Sequence, residues 1–425
     1  MKETLEKTLE KMPGISKPFF RFVTVLLTTV LCLRGRMNFR NMSRYSDLSE
    51  KTFSRNFRKD FDFLLFNRTV IEEVVITPAT RVAAMDCTFV PKSGDRTYGV
   101  DWFRNGSADR NEKGLELSVM AVVDVDRRTA YTLSAMQTPP SKTPKFSRRL
   151  RKAEYRELEK CYLFRPHSEM TRTNFYLGQL RTARGMLPED IRYLVVDGYY
   201  SKEKFVTGAV NENLHIVGRL RCDANLRHLY KGPRKKGRGR PKTYDGKVDL
   251  RDVSRMELVG EIKKGVSLFT EVVNSVSLKR NIRIAYLLDT RKKKKKEPSH
   301  VVLFSTDTEI DARDIVRFYS SRYQIEFIFR DAKQFTGLCD CQAREKESLD
   351  FHFNASLSAL NLARVEDQKS RPDDGPAVFS MSSHKTRYSN EFLIDRIISM
   401  SGIDPDMIKN HPDYEELRNL GSIAA

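Results

Sequence analysis

Two aspartates stand where a charge is costly. Asp86 lies inside the apolar run 82–90, and Asp197 closes the apolar run that begins at Tyr193. A carboxylate in such surroundings is expensive unless water, backbone amides or a cation compensates it. A third acid, Glu326, belongs to the segment 319–333, whose pattern is helical. At about 100° per residue, Tyr319, Arg322, Glu326 and Lys333 share one polar stripe, with Phe318, Ile325, Phe329 and Ala332 on the apolar stripe beside it. Three carboxylates form a ligand set for a hard divalent cation such as Mg²⁺, and such a centre supports phosphoryl transfer. Each residue also has a plainer reading. The aspartates can sit at strand ends facing water, and Arg322 with Glu326 can be an exposed i, i+4 ion pair worth only about 0.3–0.5 kcal/mol.

The flanking sequence has to supply elements that position these groups. Runs 116–124 and 129–136 pattern as two strands joined through Asp126, Arg127 and Arg128, and with the strand at 82–90 they make a sheet. A helix at 173–183 then leads into the buried strand that ends in Asp197, giving a compact α/β start. Between 215 and 307 the runs 215–221, 256–261, 267–276, 282–289 and 300–305 are all strand-like, which reads as an all-β insertion. A long helix follows to about Phe335, then another at 351–368, a linker candidate at 370–386 and a helix at 391–400. Residues 1–75 read as helical, with Ser49 as an N-cap and Phe53 and Phe57 four apart. This is the pattern of a small DNA-binding domain or of an arm that supports the next domain. The expected divisions are therefore 1–75, 76–214, 215–307, 308–370 and 371–425.

The chain carries 76 Lys and Arg against 56 Asp and Glu among 425 residues, a formal charge of +20 with a pI near 9.6. That excess points to a polyanionic partner. Two basic stretches lie in the β-rich block. Arg234, Lys235, Lys236, Arg238, Arg240 and Lys242 are interleaved with Gly and Pro, as in an extended arm that follows a DNA groove. Lys292, Lys293, Lys294, Lys295 and Lys296 form a polylysine tip between two strands, suited to salt-dependent attraction; the bland reading of both is a solvated loop. The six cysteines include no CxxC pair, which excludes a zinc ribbon, and no disulfide scaffold follows. The longest nearly apolar run, 22–33, falls short of the roughly 20 residues of a membrane span, and it lacks the flanks of a secretory signal. The expectation is a cytoplasmic, reduced protein with no membrane partner.

The spacing of Tyr319, Arg322, Glu326 and Lys333 resembles the Tyr-Arg-Glu-Lys signature of bacterial insertion-sequence transposases of the IS4 group. The resemblance runs from about Asp86 through Arg344 and takes in Asp197-Gly198-Tyr199-Tyr200 and Gln342. It implies an RNase H-like catalytic domain interrupted by an all-β insertion, with helical N-terminal and C-terminal regions. In that fold the first Asp is on the first strand, the second on the fourth, and the Glu is on a helix after the insertion. It implies that Asp86, Asp197 and Glu326 are catalytic and hold two Mg²⁺ ions, with Mn²⁺ substituting, and that Tyr319, Arg322 and Lys333 contact DNA phosphates. The partners implied are double-stranded transposon ends and target DNA, met by a homodimer at the bacterial nucleoid, with a hairpin intermediate at the cleaved end. Trp102, the single tryptophan, lies outside the β-rich block where a ring for an unstacked base is expected, and it receives no role. An RNase H-fold nuclease without strand transfer and a basic architectural protein are the competing classes. The intact set of three acids and the complete signature argue against both.

Overall fold

The apolar run around Asp86 becomes a strand paired on both edges. In a computed structural model of the chain, which describes residues 1–75, 78–94, 96–140, 171–233, 240–291, 299–371 and 378–423, this run is β1 (Arg81–Pro91). On one edge β3 (Arg110–Asp124) pairs antiparallel along its length, from Arg81 opposite Asp124 to Pro91 opposite Gly114. On the other edge β5 (Tyr193–Val196) pairs in parallel, and β6 (His215–Arg219) pairs in parallel with β5. Strands covered on both faces need a near-continuous apolar sequence, which is what 82–85 and 194–196 supply. Parallel neighbours also need crossovers. The helices α6 (Arg172–Arg184), before β5, and α7 (Glu203–Asn211), between β5 and β6, occupy these connections. β2 (Asp101–Asn105) and β4 (Thr129–Gln137) complete this half by pairing with β3.

The sheet does not stop at β6. It continues antiparallel through β12 (Ser299–Ser305), β11 (Arg280–Asp289), β10 (Val266–Ser275), β7 (Leu226–Leu229) and β8 (Tyr244–Lys247), while β9 (Glu257–Lys263) also pairs with β10. All five strand-like runs between 215 and 307 are strands. They extend the sheet that holds Asp86, and the first of them, β6, is a parallel member of it. The result is a mixed α/β fold with a mostly antiparallel central sheet flanked by helices.

Helices α1 (Lys2–Glu10), α2 (Lys17–Cys32), α3 (Phe39–Met42), α4 (Glu50–Asn56) and α5 (Phe63–Val75) gather against the long α10 (Lys346–Lys369). Ser49 caps α4 as expected, its side chain accepting from the Thr52 amide. Phe53 and Phe57 are fully buried against Phe22, and Phe57 also meets Phe351 of α10 at 4.7 Å between ring centroids. Three expectations need correction. The helical segment expected from Asp307 to Phe335 is two helices, α8 (Ala312–Ser321) and α9 (Tyr323–Phe335), divided at Arg322. The expected linker overlaps α11 (Met381–Ser401), which starts well before residue 391; α12 (Pro405–Lys409) and α13 (Tyr414–Asn419) follow it. Finally β2, β7, β8 and α7 were absent from the sequence reading, because their four to nine residues are too short for a clear period. No helix among the described residues is long and apolar enough to cross a membrane.

One edge of the sheet is closed by side chains. β4 has β3 on one side only, so its outward amides and carbonyls would be unpaired inside the protein. Asn361 of α10 takes the place of a strand partner: its Oδ1 accepts from the Thr132 amide at 2.8 Å and its Nδ2 donates to the Thr132 carbonyl at 2.7 Å. Asn354 donates to Ala135 O at 3.2 Å and Arg364 to Ala130 O at 2.5 Å, so the same helix face serves β4 at three points. Asn67 of α5, fully buried, accepts from Ser358 and Asn361 and ties the N-terminal helices to this seam. Asn361→Ala leaves both backbone groups of Thr132 buried and unpaired. A loss of about 2–4 kcal/mol in urea unfolding is expected, and a loss under about 0.5 kcal/mol would show that the seam does not hold the edge.

Candidate active site

The parallel register carries the two aspartates to one place. Ala83 faces Leu194, Ala84 faces Val195 and Met85 faces Val196, so the next pair in the series is Asp86 and Asp197. Between β5 and β6 the pairs end at Val195 and Val217, and two steps further Asp197 comes level with Arg219. Neighbouring strands lie about 4.8 Å apart. Asp86, midway along β1, thus falls in a row with Asp197 and Arg219 at the carboxyl ends of β5 and β6, the end of an open α/β sheet where ligand sites are found. Asp197 also stops its strand. Its carboxylate accepts from the Tyr199 amide at 2.9 Å and caps the single 3-10 turn Gly198–Tyr200, which turns the chain off the sheet.

Glu326 reaches this row through Arg322. At the joint between α8 and α9 the Arg322 amide bonds to Tyr319 O at 3.2 Å and Ile325 bonds to Arg322 O at 3.0 Å. These i to i−3 bonds tighten the joint in the manner of a 3-10 turn. From there the guanidinium bridges two acids, Nη1 donating to Asp86 Oδ2 at 2.6 Å and Nη2 to Glu326 Oε1 at 2.9 Å. The rings of Tyr319 and Tyr323 lie 5.9 Å and 5.4 Å from its central carbon. Only 11% of the Arg322 side chain is exposed, and its Nε is buried without a hydrogen-bond partner. The bridge joins distant parts of the chain, and at its buried Asp86 end the cost of desolvation outweighs the attraction of the pair. The exposed i, i+4 pair considered from the sequence is only half of it.

Asp86 is strained electrostatically. Burial, together with the Asp197 and Glu326 carboxylates, outweighs the Arg322 guanidinium and the Cys87 amide and raises its carboxyl to about 7. Asp197 is half-buried and Glu326 is exposed. Asp197 and Glu326 are each within electrostatic reach of Asp86, and as oxygen donors the three suit a hard cation. Among the described residues, however, no three His, Cys, Asp or Glu side chains are grouped closely enough to hold a metal ion. Asp86 and Glu326 are held together by a guanidinium.

The remaining expected residues divide. Tyr319 is half-buried beside Arg322, and burial raises its phenol above the ordinary value. Lys333 lies half-buried further along α9 with no ion-pair partner among the described residues, and burial lowers its ammonium. Of the basic stretches, Arg240 is exposed, whereas Lys242 pairs with Asp245 at 2.5 Å and lies over the Tyr230 ring. Arg234, Lys235, Lys236 and Arg238 lie outside the described residues, as do Lys292, Lys293, Lys294, Lys295 and Lys296. Arg219 is the residue that the sequence reading missed. It is exposed, its guanidinium makes no ion pair among the described residues, and it contributes to the electrostatic environment of Tyr319. The available signal was the one used for Asp197, a charged side chain closing an apolar strand.

Residues 13–264 match the family model described as DDE superfamily endonuclease, and residues 170–362 match the model described as transposase DDE domain. The first match contains Asp86 and Asp197, and the second contains Asp197 and Glu326. No curated protein matches the chain.

The raised Asp86 carboxyl has a consequence for stability. Its ordinary value is 3.8 and its folded value about 7, so between these limits the folded protein holds a proton that the unfolded chain has released. Stability contributed by this group therefore falls as pH rises through that window, by at most about 4 kcal/mol. Asp86→Asn should match wild type in thermal unfolding near pH 4 and exceed it at pH 8. Parallel stability curves for the two proteins over that range would contradict the burial of a strained carboxyl here.

Proposed function

The chain belongs to the DDE superfamily of endonucleases, and on that premise we propose that it is a DNA transposase of the IS4 insertion-sequence group. In this reading it binds the terminal inverted repeats of its element, cleaves at the transposon ends and joins the freed 3′-OH ends to target DNA. The observation that carries the reading is the meeting of Asp86, midway along β1, with Asp197 at the end of the adjacent β5, and with Glu326, which Arg322 brings to Asp86. An RNase H-like identity for residues 76–214 and 308–370, together with β6 at the start of the next block, is supported by the order β4-β3-β1-β5-β6, in which β1, β5 and β6 are parallel and β3 runs against them. Residues 215–307 then serve as an addition to one edge, largely beyond β6.

Asp86, Asp197 and Glu326 would hold the divalent ions, Mg²⁺ or Mn²⁺, which when bound activate the attacking oxygen and neutralise the departing one. The chain's own residues do the positioning. Arg322 supplies the charge that lets Asp86 and Glu326 approach each other, and an incoming phosphodiester offers that guanidinium an alternative anion. Tyr319 and Arg219 lie about the same place and Lys333 follows two turns along α9, one phenol and two cations without ion pairs among the described residues, suited to gripping the DNA backbone on either side of the scissile bond. Water attacks first, the 3′-OH so released attacks second, and no side chain becomes a covalent nucleophile. A hairpin at the cleaved end belongs to the same expected pathway.

Two ends must be joined together, so the working form on DNA is a homodimer. The α11 residues Leu393, Ile397 and Met400 recur at helical spacing and are more than half exposed, an apolar face suited to a second copy.

A pair of terminal-repeat duplexes, Mg²⁺ and a supercoiled target test the reading. Wild type should yield joined product, whereas Asp86→Ala, Asp197→Ala and Glu326→Ala should each lose cleavage and joining and still bind the ends. Cleavage without joining would favour an RNase H-fold nuclease, and near wild-type cutting by Glu326→Ala would remove that residue from the centre.

Arg322 gives a separate test. If it is the resident counter-cation of the acids, Arg322→Ala should bind Mn²⁺ more tightly than wild type in the absence of DNA, by about tenfold or more, as read by calorimetry. Weaker Mn²⁺ binding would instead make Arg322 a group that orients Glu326 for the metal.

A further inference from the structure

A cation-rich hollow lies against the face of α9 that carries Phe327 and Arg330. A cavity of about 240 Å³ is bounded by the β3–β4 turn, one face of α9 and the end of α10. Five arginines line it: Arg127 and Arg128 from the turn, Arg330 from α9, and Arg364 and Arg371 from α10 and just beyond it. Their internal partners are fewer. Asp331, buried beneath, receives Arg330 at 2.8 Å and Arg364 at 3.0 Å; Asp367 receives Arg371 at 2.5 Å, and Asp124 pairs with Arg127 at 3.3 Å. Among the described residues, five guanidinia therefore meet three carboxylates. The excess sits at the mouth, where exposed Arg128 has no hydrogen bond or ion pair from its side chain among the described residues. On the floor, buried Arg364 keeps its Nε without a hydrogen-bond partner. Beside them Arg330 lies over the exposed Phe327 ring at 4.8 Å, which stiffens a cation that would otherwise sample solvent.

We propose that this hollow is a second DNA backbone subsite, with Arg128 and Arg330 as the phosphate-binding pair. The site is too small for a drug-sized ligand, for which about 300–1,000 Å³ is usual, and its surplus charge suits a single phosphodiester group. Its position suits the same strand that reaches the acids. Arg330 is one turn beyond Glu326 on α9, an axial rise of about 6 Å, or roughly two nucleotides at about 3.4 Å each. Arg128 is also held at φ 53°, in the left-handed region, which strains an L side chain and leaves glycine unstrained.

That backbone angle makes the test selective. Arg128→Gly removes the cation and relieves the turn, so Tm should stay level or rise while binding of a fluorescein-labelled terminal-repeat duplex weakens by roughly tenfold. The slope of log Kd against log KCl concentration should fall by about 0.9, as expected for one lost phosphate contact. Arg128→Gln, which keeps the reach without the charge, should give the same slope and decides the matter should glycine disturb the turn. Wild-type affinity and slope in both variants would overturn the subsite. The inference rests on the DNA-processing reading, yet the two fail separately. Wild type that binds the duplex but neither cuts nor joins it would sink the transposase reading, while a change of slope in the variants would still stand.

Discussion

The structure turns on the need to keep a carboxylate inside a sheet. Asp86 sits on a strand paired on both edges, with a second acid just past the end of the neighbouring β5 and a third on α9. The cation that makes this tolerable comes from 236 residues away, and it is shared with Glu326. Arg322 can do this because a planar fork presents two donors in fixed directions, which a lysine ammonium cannot. Its place at the joint of α8 and α9 matters equally, since the joint is where the chain changes helix and the side chain can leave the stripe. Even so the compensation is incomplete, and Asp86 keeps a raised carboxyl. On the proposed reading, a carboxyl held in that condition beside the end of β5 would accept a stronger cation, at the expense of stability elsewhere.

That expense is met by the surroundings. The sheet edge nearest the N-terminal helices is sealed by Asn354, Asn361 and Arg364, and Asn67 extends the seal to α5. Arg364 links the two systems, donating to β4 on one side and to Asp331 of α9 on the other. The helix that presents Glu326 is therefore braced against the strand layer from below. On the proposed reading a metal-dependent centre would need such a rigid base, because small displacements of its ligands are costly in rate.

How much was legible beforehand differs between strands and helices. Strands 82–90, 116–124 and 129–136 were readable because burial on both faces leaves an almost unbroken apolar run. The break at Arg322 was not, since the backbone there remains helical at φ −52° and ψ −32° and neither Gly nor Pro marks it. The wheel that grouped Tyr319, Arg322, Glu326 and Lys333 treated two helices as one. It succeeded for the Tyr319, Arg322 and Glu326 contacts, which span a tightened joint, and found no contact for Lys333. The β-rich block was readable as strands but not as an extension of the first sheet, because which strand edges meet is decided by partners far apart in the chain. Arg219 was overlooked for the same reason: only the register of β5 with β6 brings it level with Asp197.

By itself the sequence determined the chemical inventory: three carboxylates in or beside apolar elements, a +20 charge excess, and cations at helical spacing from the last acid. Composition and local periodicity are properties of neighbours along the chain, so they survive without a fold. Tertiary structure alone decided that Asp86 and Asp197 share a register, that Arg322 spans from α9 to β1, and that Asp331 and Arg128 belong to one hollow. These depend on hydrogen-bonded strand pairing and on the low dielectric created by burial. Both arise only when residues remote in sequence exclude water from between them.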